Sequence, residues 1–264
     1  MLFLDMRGAR FVHSSRSRIK PILELLRGLM RKTFLKDFLI LGLILLILTI
    51  IFCATNLDIA IESCFYSPEK GWFLRNVNPW DFLYHYGNIP GLVLASAGLI
   101  GFIFSFSYRK AAKYRRAALF LSLVMALGPG LVVNTTFKHY WGRPRPRQIQ
   151  DFGGRQKYLP VWQKGISGEG KSFPSGHASA AFYLFTPFFL LRGTRKKWAV
   201  LFLSLGVSYG ILMGFTRMAQ GGHFPSDVVW AGGFTYLVGL LLSCFFKFDE
   251  KMVLADGDGL QETG

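Results

Sequence analysis

Two stretches of this sequence are too long and too apolar to be packed inside a water-soluble domain. One runs from Phe38 to Ala54 without a charged residue, and another runs from Val228 to Phe246. A helix needs about 20 mainly apolar residues to cross the hydrocarbon core of a bilayer. The chain is therefore predicted to be an integral membrane protein.

Four further apolar runs bring the number of predicted spans to six. The fourth run is shorter than a full crossing, and we expect its helix to begin within the turn that precedes it. The sequence thus predicts an all-α integral membrane protein in which a bundle of six helices, 38–246, lies between a basic N-terminal segment, 1–37, and a polar tail, 247–264. The six predicted spans are 38–54, 90–107, 117–134, 178–191, 199–215 and 228–246.

The positive charge of the chain is distributed as expected for a membrane protein. The formal net charge is +16, which in a soluble chain would suggest a nucleic-acid partner. Here nine Lys or Arg precede the first span, five lie in 108–116 and four lie in 192–197. Because basic connections mark the cytoplasmic side, both termini are predicted to be cytoplasmic and no nucleic-acid partner is expected. The connections 56–89, 135–177 and 216–227 are predicted to lie on the outer side.

The first apolar run is predicted to be a retained anchor. A cleaved signal peptide has its apolar core nearer the N terminus, with a cleavage site of small residues after it. In this chain 37 residues precede the run, and Asn56-Leu57-Asp58 follows it. Within the N-terminal segment, residues 19–30 combine leucines with basic side chains, a pattern that suits the cytoplasmic membrane surface.

One predicted outer connection is unusually basic. From Lys138 to Lys171 it carries eight Lys or Arg against Asp151 and Glu169, an excess that membrane topology alone disfavours on this side. This excess predicts a cationic surface for an anionic lipid headgroup. Outside the motifs described next, the residues that would form it are Arg155, Lys157 and Lys164.

Three short clusters in the predicted outer connections contain the residue types that phosphate chemistry requires. Together they supply two histidines, three cations and one carboxylate, beside a turn that contains glycine. Because all three clusters are predicted on one face of the membrane, we expect them to form one active site. The clusters are Lys138 with Arg145-Pro146, Pro174-Ser175-Gly176-His177, and Arg217 with His223 and Asp227.

The cations of these clusters are suited to binding a phosphate monoester. Such a group is dianionic near neutral pH, and its transfer depends on fixed positive charge and on hydrogen-bond donors. Lys138, Arg145 and Arg217 can supply the charge, and the arginines can do so through paired hydrogen bonds. Arg143, which is also followed by proline, is an alternative to Arg145 and is a further candidate phosphate ligand.

The second cluster predicts an anion site at the start of the fourth span. Pro174 suits the first turn of a helix because its φ is fixed and it lacks an N–H. Ser175 and Gly176 would then present side-chain and backbone donors at a helix N terminus, where anions bind readily. His177 on the same turn could protonate the departing alcohol oxygen near neutral pH.

The third cluster predicts the nucleophile. His223 and Asp227 are four residues apart, so on a helix they would share one face. The carboxylate could then accept a hydrogen bond from one ring nitrogen and leave the other nitrogen free to attack phosphorus. The three clusters together predict a phosphatase with a phosphohistidine intermediate.

The spacing of these residues resembles the signature of the type 2 phosphatidic acid phosphatase (PAP2) superfamily. The matching elements are Lys138-x6-Arg145-Pro146, Pro174-Ser175-Gly176-His177 and Arg217-x5-His223-x3-Asp227, with Thr216 where the family usually has serine. The resemblance implies a six-span helical bundle and hydrolysis without a metal or other cofactor. It implies that His223 is the nucleophile, oriented by Asp227, and that His177 is the general acid. The phosphate ligands that it implies are Lys138, Arg145, Ser175, Gly176 and Arg217.

A second set of residues resembles the lipid A 4'-phosphatase branch of that superfamily. The set comprises 128–134, 137–138, 141–146, 152–154 and 220–224. This resemblance implies a lipid phosphatase of the bacterial inner membrane whose active site faces the periplasm. The resemblance also implies that lipid A is the leading substrate, with the 4'-phosphate favoured over the 1-phosphate. The basic connection agrees with this substrate, because the lipid A headgroup carries several anionic groups.

Other functions stay open at this point. Undecaprenyl pyrophosphate and phosphatidylglycerophosphate are alternative substrates, because lipid phosphatases of this superfamily overlap in substrate. A non-catalytic lipid-binding or transport protein is an alternative of another class. The presence of His177, His223 and Asp227 argues against it, since binding alone does not require a nucleophile with an orienting carboxylate.

Overall fold

The computed structural model describes residues 32–248, and over this range the chain folds into helices, turns and loops. The predicted all-α fold is confirmed, because the described part of the chain contains only isolated bridges, Ser67 with Gly71 and Ile149 with Gln156, and no strand. The α-helices are α1 Lys32–Ala54, α2 Leu57–Ser63, α3 Trp80–Tyr86, α4 Ile89–Ser107, α5 Arg115–Met125, α6 Lys138–Tyr140, α7 Gly176–Phe182, α8 Pro187–Leu191, α9 Lys196–Ala219 and α10 Pro225–Phe245. The 3-10 turns are Arg109–Tyr114, Pro146–Gln148, Gln150–Phe152 and Tyr183–Phe185, and Ala126–Phe137 is π-helical.

Five helical segments of the described chain are long and apolar enough to cross a membrane. They coincide with five of the six predicted spans and support a multi-pass membrane protein. The remaining predicted span, 178–191, coincides with a shorter apolar helix, Gly176–Leu191. The five long segments are Lys32–Ala54, Trp80–Ser107, Arg109–Tyr140, Lys196–Ala219 and Pro225–Phe245.

The outward surface of the long helices is apolar. Among the 23 residues of α1, Phe34 and Phe52 are the buried ones, whereas Leu39, Leu43 and Ile50 are each more than half exposed. A water-soluble protein rarely exposes a contiguous apolar surface of this extent. This surface is therefore suited to contact with lipid.

The helix at the short fourth predicted span begins at Gly176, inside the turn that precedes the span, as its length required. Ser175 is the N-cap of α7, and its Oγ accepts a hydrogen bond from the backbone N–H of Ala178 at 3.4 Å. The prediction that Pro174 occupies the first helical turn was wrong. Serine satisfies a free N–H at the helix start, so it takes the cap position and Pro174 lies one residue before it.

The third long segment widens into a π-helix before it reaches the first motif. Pro129 lies inside this stretch and cannot donate a backbone hydrogen bond. Side chains five residues further on bond to the carbonyls there: Asn134 Nδ2 donates to Pro129 O at 2.7 Å and Thr135 Oγ1 to Gly130 O at 3.1 Å. The wider turns bring Asn134 beside Lys138, whose Nζ donates to Asn134 Oδ1 at 3.3 Å.

The last helix, α10, packs against α1, α7 and α9. Glycines permit this close packing, because a Cβ built at Gly233 would lie 2.8 Å from the side chain of Leu45 on α1. A Cβ at Gly239 would lie 2.5 Å from the ring of Phe189 on α8. Small residues at helix contacts are typical of membrane bundles, and here they fix the position of α10, which carries Asp227.

The connection between α6 and α7 lies across the start of α10. The N–H of Arg147 donates to Gly221 O at 3.2 Å, and the N–H of Ser175 donates to Asp227 O at 3.3 Å. These two backbone hydrogen bonds join the three sequence clusters at one end of the bundle.

Two of the predicted segments lie mostly outside the described residues. These are the N-terminal segment 1–37, including the amphipathic stretch 19–30, and the tail 247–264. The part of the N-terminal segment that is described, 32–37, is the first turn and a half of α1. There Asp37 forms an ion pair with Arg192, with a distance of 2.5 Å between Oδ2 and Nη1.

Candidate active site

His223 lies in the turn between α9 and α10 and is almost completely buried, with 1% of its surface exposed. Its Nδ1 is 2.5 Å from the backbone carbonyl oxygen of Ser172. A carbonyl can only accept a hydrogen bond, so Nδ1 carries the proton in the neutral ring. The lone pair is therefore on Nε2, which is the nitrogen available for attack on phosphorus.

Asp227 does not form the direct hydrogen bond to His223 that the spacing predicted. The distance between His223 Nδ1 and Asp227 Oδ2 is 3.9 Å, too long for a hydrogen bond. Oδ2 instead accepts from Ser172 Oγ at 2.5 Å and from the N–H of Phe224 at 2.9 Å. Asp227 thus acts on the histidine through Ser172, whose hydroxyl it binds and whose carbonyl binds the ring.

The reason for this difference is that His223 precedes the helix. Phe224 is the N-cap and Pro225 the first residue of α10, so the i,i+4 geometry of a helix does not apply to His223 and Asp227. Asp227 occupies the third helical position, where an acidic side chain can accept from the N–H of the cap residue. It makes that bond and turns away from the histidine ring.

Three cations of the predicted set lie around His223. Burial lowers the pKa of His223 well below its usual value, and Arg217, Lys138 and Arg145 lower it further. The histidine is consequently neutral at pH 7, as a nucleophile must be. Positive charges of this kind are suited to binding the oxygens of a phosphate.

Arg217 is the most constrained of these cations. It is 4% exposed, and its guanidinium carbon lies 4.6 Å from the centre of the Tyr84 ring. Two of its nitrogens, Nε and Nη1, are buried without a hydrogen-bond partner in the structure. Leaving such donors unsatisfied is costly, and the acceptor oxygens of a ligand would satisfy them.

The second cluster lies next to these cations. Gly176 is the first residue of α7, and a Cβ there would overlap the side-chain amide of Asn134. His177 is partly buried, and its ring stacks on Tyr84 with a centroid distance of 5.4 Å and an interplanar angle of 17°. Tyr84 therefore bridges His177 and Arg217. The Oγ of Ser175 is used as the helix cap.

Arg143 is placed differently from the other predicted phosphate ligands. Its side chain is fully buried, and its guanidinium is bonded to Asp227 at 2.6 Å and to Asp58 at 2.7 Å. Burial opposes its charge, but Asp227 and Asp58 raise the pKa of Arg143 above its usual value. Its predicted role as a phosphate ligand does not fit this geometry, because two carboxylates already occupy the guanidinium.

Sequence reasoning did not find four residues that shape the site. Ser172 and Tyr158 lie in the basic connection, Tyr84 lies in α3 and Asp58 lies in α2. Asp58 carried a weak signal, because it is an acidic residue directly after an apolar span. Ser172 lies two residues before Pro174, but its contacts with His223 and Asp227 are made across 51 and 55 positions of the chain. Tyr84 and Tyr158 have no spacing relation to the motifs.

Over residues 32–248 no group of three or more His, Cys, Asp or Glu side chains is arranged to hold a metal ion. The cations that act on His223 are Arg217, Lys138 and Arg145, and such groups can bind an anionic group directly.

These features define a class of protein: a helical membrane enzyme with a buried neutral histidine facing a cluster of cations, as phosphoryl transfer requires. The chain matches the PAP2 superfamily over residues 117–251. It belongs to that superfamily, and it is a lipid phosphatase, a phosphoric monoester hydrolase.

Relatives with described activities are lipid A phosphatases. The chain is 38% identical to the lipid A 4'-phosphatase of Francisella tularensis subsp. novicida, over 69% of this chain and 82% of the relative. It is 34% identical to the lipid A 4'-phosphatase of Rhizobium leguminosarum over 44% of this chain and 50% of the relative. It is 31% identical to the lipid A 1-phosphatase of Rhizobium johnstonii over 52% of this chain and 54% of the relative. No solved structure gives a significant match.

Proposed function

We propose that this protein hydrolyses a phosphate monoester of lipid A, the 4'-phosphate in preference to the 1-phosphate. The active site would face the periplasm from the bacterial inner membrane, in a bundle of six spans with both termini in the cytoplasm. The 4' preference is supported by the relative from Francisella, which is more similar to this chain and matches more of it than the 1-phosphatase relative does.

The observation that carries the mechanism is the orientation of His223. With Nδ1 bonded to Ser172 O, Nε2 can form a bond to phosphorus while the bond from phosphorus to the sugar oxygen breaks. His177 would donate a proton to that oxygen, and lipid A leaves as an alcohol. Water then attacks phosphorus and gives a proton to His177, the bond between nitrogen and phosphorus breaks, and inorganic phosphate is released.

The phosphate ligands would be Lys138, Arg145 and Arg217, with the backbone N–H of Gly176 at the start of α7. The unpartnered nitrogens of Arg217 support this assignment. Charge that is already in place when the transition state forms is an effective source of catalysis.

A cavity in the basic connection supports a large anionic headgroup as substrate. Its volume is about 440 Å³, and Lys157 and Lys164 are among the residues that line it, together with Pro144, which lies between Arg143 and Arg145. On the same connection Trp162 and Ile166 are about two-thirds exposed. Exposed aromatic and apolar side chains beside lysines are typical of the membrane interface.

Parallel assays test the substrate assignment. The purified enzyme would be incubated with lipid A, undecaprenyl pyrophosphate and phosphatidylglycerophosphate, and kcat/KM measured for each. The highest value is expected for lipid A, with mass spectrometry of the product showing loss of the 4'-phosphate. A higher kcat/KM for either other lipid would contradict the proposal.

The basic connection gives a second test of the headgroup. Replacing Arg155, Lys157 and Lys164 together by glutamine should lower kcat/KM for lipid A by about tenfold, in line with roughly 0.5 kcal/mol for each exposed ion pair. The value for a small soluble monoester should be unchanged, because that substrate does not extend beyond the phosphate site. The loss on lipid A should shrink as salt rises, since exposed charges are screened over about 8–10 Å.

Two outcomes would contradict the headgroup assignment. Equal losses on both substrates would indicate damage to the phosphate site, and no loss on either would leave the three cations as ordinary solvated side chains.

Sidedness can be measured by cysteine labelling. Positive charge in 108–116 and 192–197 predicts that these segments are cytoplasmic. In a variant without native cysteines, Gln163→Cys should react with a membrane-impermeant thiol reagent in intact spheroplasts, and Ala112→Cys should react only after lysis. Both positions are exposed in the structure, so the contrast reports the membrane side. The reverse pattern would place the active site in the cytoplasm.

A further inference from the structure

We propose that Arg143 and Asp58 are positioning residues that hold Asp227 and Ser172, and through them the ring of His223, in the geometry of attack. The inference rests on the proposed function, because it concerns the nucleophile of that reaction. It gives Arg143 a role that differs from phosphate binding, and it gives Asp58 a role in catalysis although the sequence assigns it to none of the motifs.

The guanidinium of Arg143 is bonded on every side. Nη1 donates to Asp227 Oδ1 at 2.6 Å and to Ser226 Oγ at 2.8 Å, and Nη2 donates to Asp58 Oδ2 at 2.7 Å. Nε donates to the carbonyl of Leu159 at 2.8 Å, and the guanidinium carbon lies 4.4 Å from the centre of the Phe224 ring. No donor direction is left for a phosphate, in contrast to Arg217.

Asp58 is the second carboxylate that is bonded to the guanidinium of Arg143. It is fully buried and accepts three further hydrogen bonds, from Ser226 N at 3.0 Å, from Ser226 Oγ at 2.6 Å and from the hydroxyl of Tyr158 at 3.0 Å. A buried carboxylate and a buried guanidinium are tolerated only when both are paired and hydrogen-bonded. Removal of Arg143 therefore leaves two buried carboxylates without their cation, and removal of the Asp58 charge releases one side of the guanidinium that holds Asp227.

Two series of hydrogen bonds connect Arg143 to His223. Through its side chain, Arg143 binds Asp227, which binds Ser172 Oγ at 2.5 Å. Through its backbone, the carbonyl of Arg143 accepts from the N–H of Ser172 at 3.0 Å. Ser172 is thus held at both ends, and its own carbonyl fixes Nδ1 of His223. A shift of Arg143 would rotate the imidazole away from phosphorus.

Glu62 is a third acidic side chain in this region, and in its neutral form it adds no negative charge beside Arg143. Glu62 is fully buried one turn after Asp58 on α2, and neither of its carboxyl oxygens has a hydrogen-bond partner. Burial raises the pKa of Glu62 well above its usual value, and Asp58 and Asp227 raise it further. Burial thus favours the neutral form of Glu62, and the two carboxylates bonded to Arg143 are those of Asp58 and Asp227.

The test compares Arg143→Met, Arg143→Lys and Asp58→Asn in the full-length protein with a soluble phosphate monoester as substrate. Arg143→Met should lower kcat by about 100-fold, because a misplacement of about 1 Å costs this much. The inhibition constant of inorganic phosphate should stay within threefold of wild type, since Lys138, Arg145 and Arg217 remain. Arg143→Lys should recover part of kcat, because lysine can bond to one of the two carboxylates but not to both.

Asp58→Asn should lower kcat about tenfold, also with an unchanged phosphate inhibition constant, and it tests the proposal even if Arg143→Met does not fold. Arg109→Met, which changes an exposed arginine of the segment 108–116, is the control and should keep wild-type kcat.

The outcomes separate the possible roles. A phosphate inhibition constant that rises at least tenfold in Arg143→Lys would make Arg143 a phosphate ligand and overturn the proposal. Wild-type kcat in Arg143→Met or in Asp58→Asn would overturn it as well. Activity that survives in His223→Ala would instead refute the proposed nucleophile, whatever the Arg143 variants show.

Discussion

The variant His223→Ala is expected to lose turnover almost completely, with kcat lower by about 10⁴-fold or more, as for loss of a covalent nucleophile. His223 is a buried imidazole whose Nδ1 is bonded to Ser172 O, which leaves Nε2 free to react, and alanine offers no atom that can bond to phosphorus. The inhibition constant of inorganic phosphate should change little, because Lys138, Arg145 and Arg217 still surround the site. Turnover of lipid A and binding of phosphate would be measured on the same preparation.

Trapping of the intermediate makes the test specific. Wild-type protein quenched during turnover of a radiolabelled monoester should carry label that is stable to base and released by acid, as expected for phosphohistidine. The label should be absent in His223→Ala and present in His139→Ala, which changes an exposed histidine on the same connection. Normal turnover or normal labelling in His223→Ala would refute the mechanism.

Arg217→Met is expected to lower kcat/KM by about 10³-fold, the upper range for loss of one preorganised charged donor. The melting temperature of the ligand-free protein, in contrast to kcat/KM, is not expected to fall. Nε and Nη1 of Arg217 are buried without partners in the structure, and each such group costs about 1–3 kcal/mol. Methionine has no group that requires a partner, so the melting temperature of the ligand-free protein should be equal to or higher than that of wild type.

Measurement of both quantities distinguishes a binding residue from a structural one. Arg192→Met serves as the contrasting variant, because Arg192 is paired with Asp37 away from the site; it should lower the melting temperature and leave kcat/KM unchanged. A lower melting temperature in Arg217→Met, together with only a small loss of activity, would show that the arginine supports the fold and does not bind phosphate.

Much of the fold could be predicted from the sequence because the signals are local. A run such as 38–54 is apolar over the length of a bilayer crossing, and its composition alone determines that it forms a lipid-facing helix. The apolar helix at the fourth predicted span also begins in the expected turn, because Ser175 caps its first residues. The helices α2 and α3 were not predicted, since they are only seven residues each and a short segment carries little periodic signal.

The candidate site was predicted as a set of residues but not as an arrangement. Lys138, Arg145, Arg217 and His223 were identified from spacing, and the structure places these four together. Spacing could not show that His223 lies before α10, and so it predicted a direct bond to Asp227. The bond goes to the carbonyl of Ser172 instead, and a backbone carbonyl has no sequence signature.

The sequence by itself determined the class of this protein: its apolar runs require a membrane, and its motifs belong to phosphoryl transfer. Only the tertiary structure decided between Arg143 and Arg145. The two arginines are two residues apart and each precedes a proline, so residue type does not separate them, and Arg145 ranks first only through the resemblance to the family spacing. Folding brings Asp58 and Asp227, distant in sequence, to the side chain of Arg143, whereas Arg145 lies near His223. The difference arises because burial makes a guanidinium depend on the carboxylates that surround it, and those neighbours are contributed by other helices.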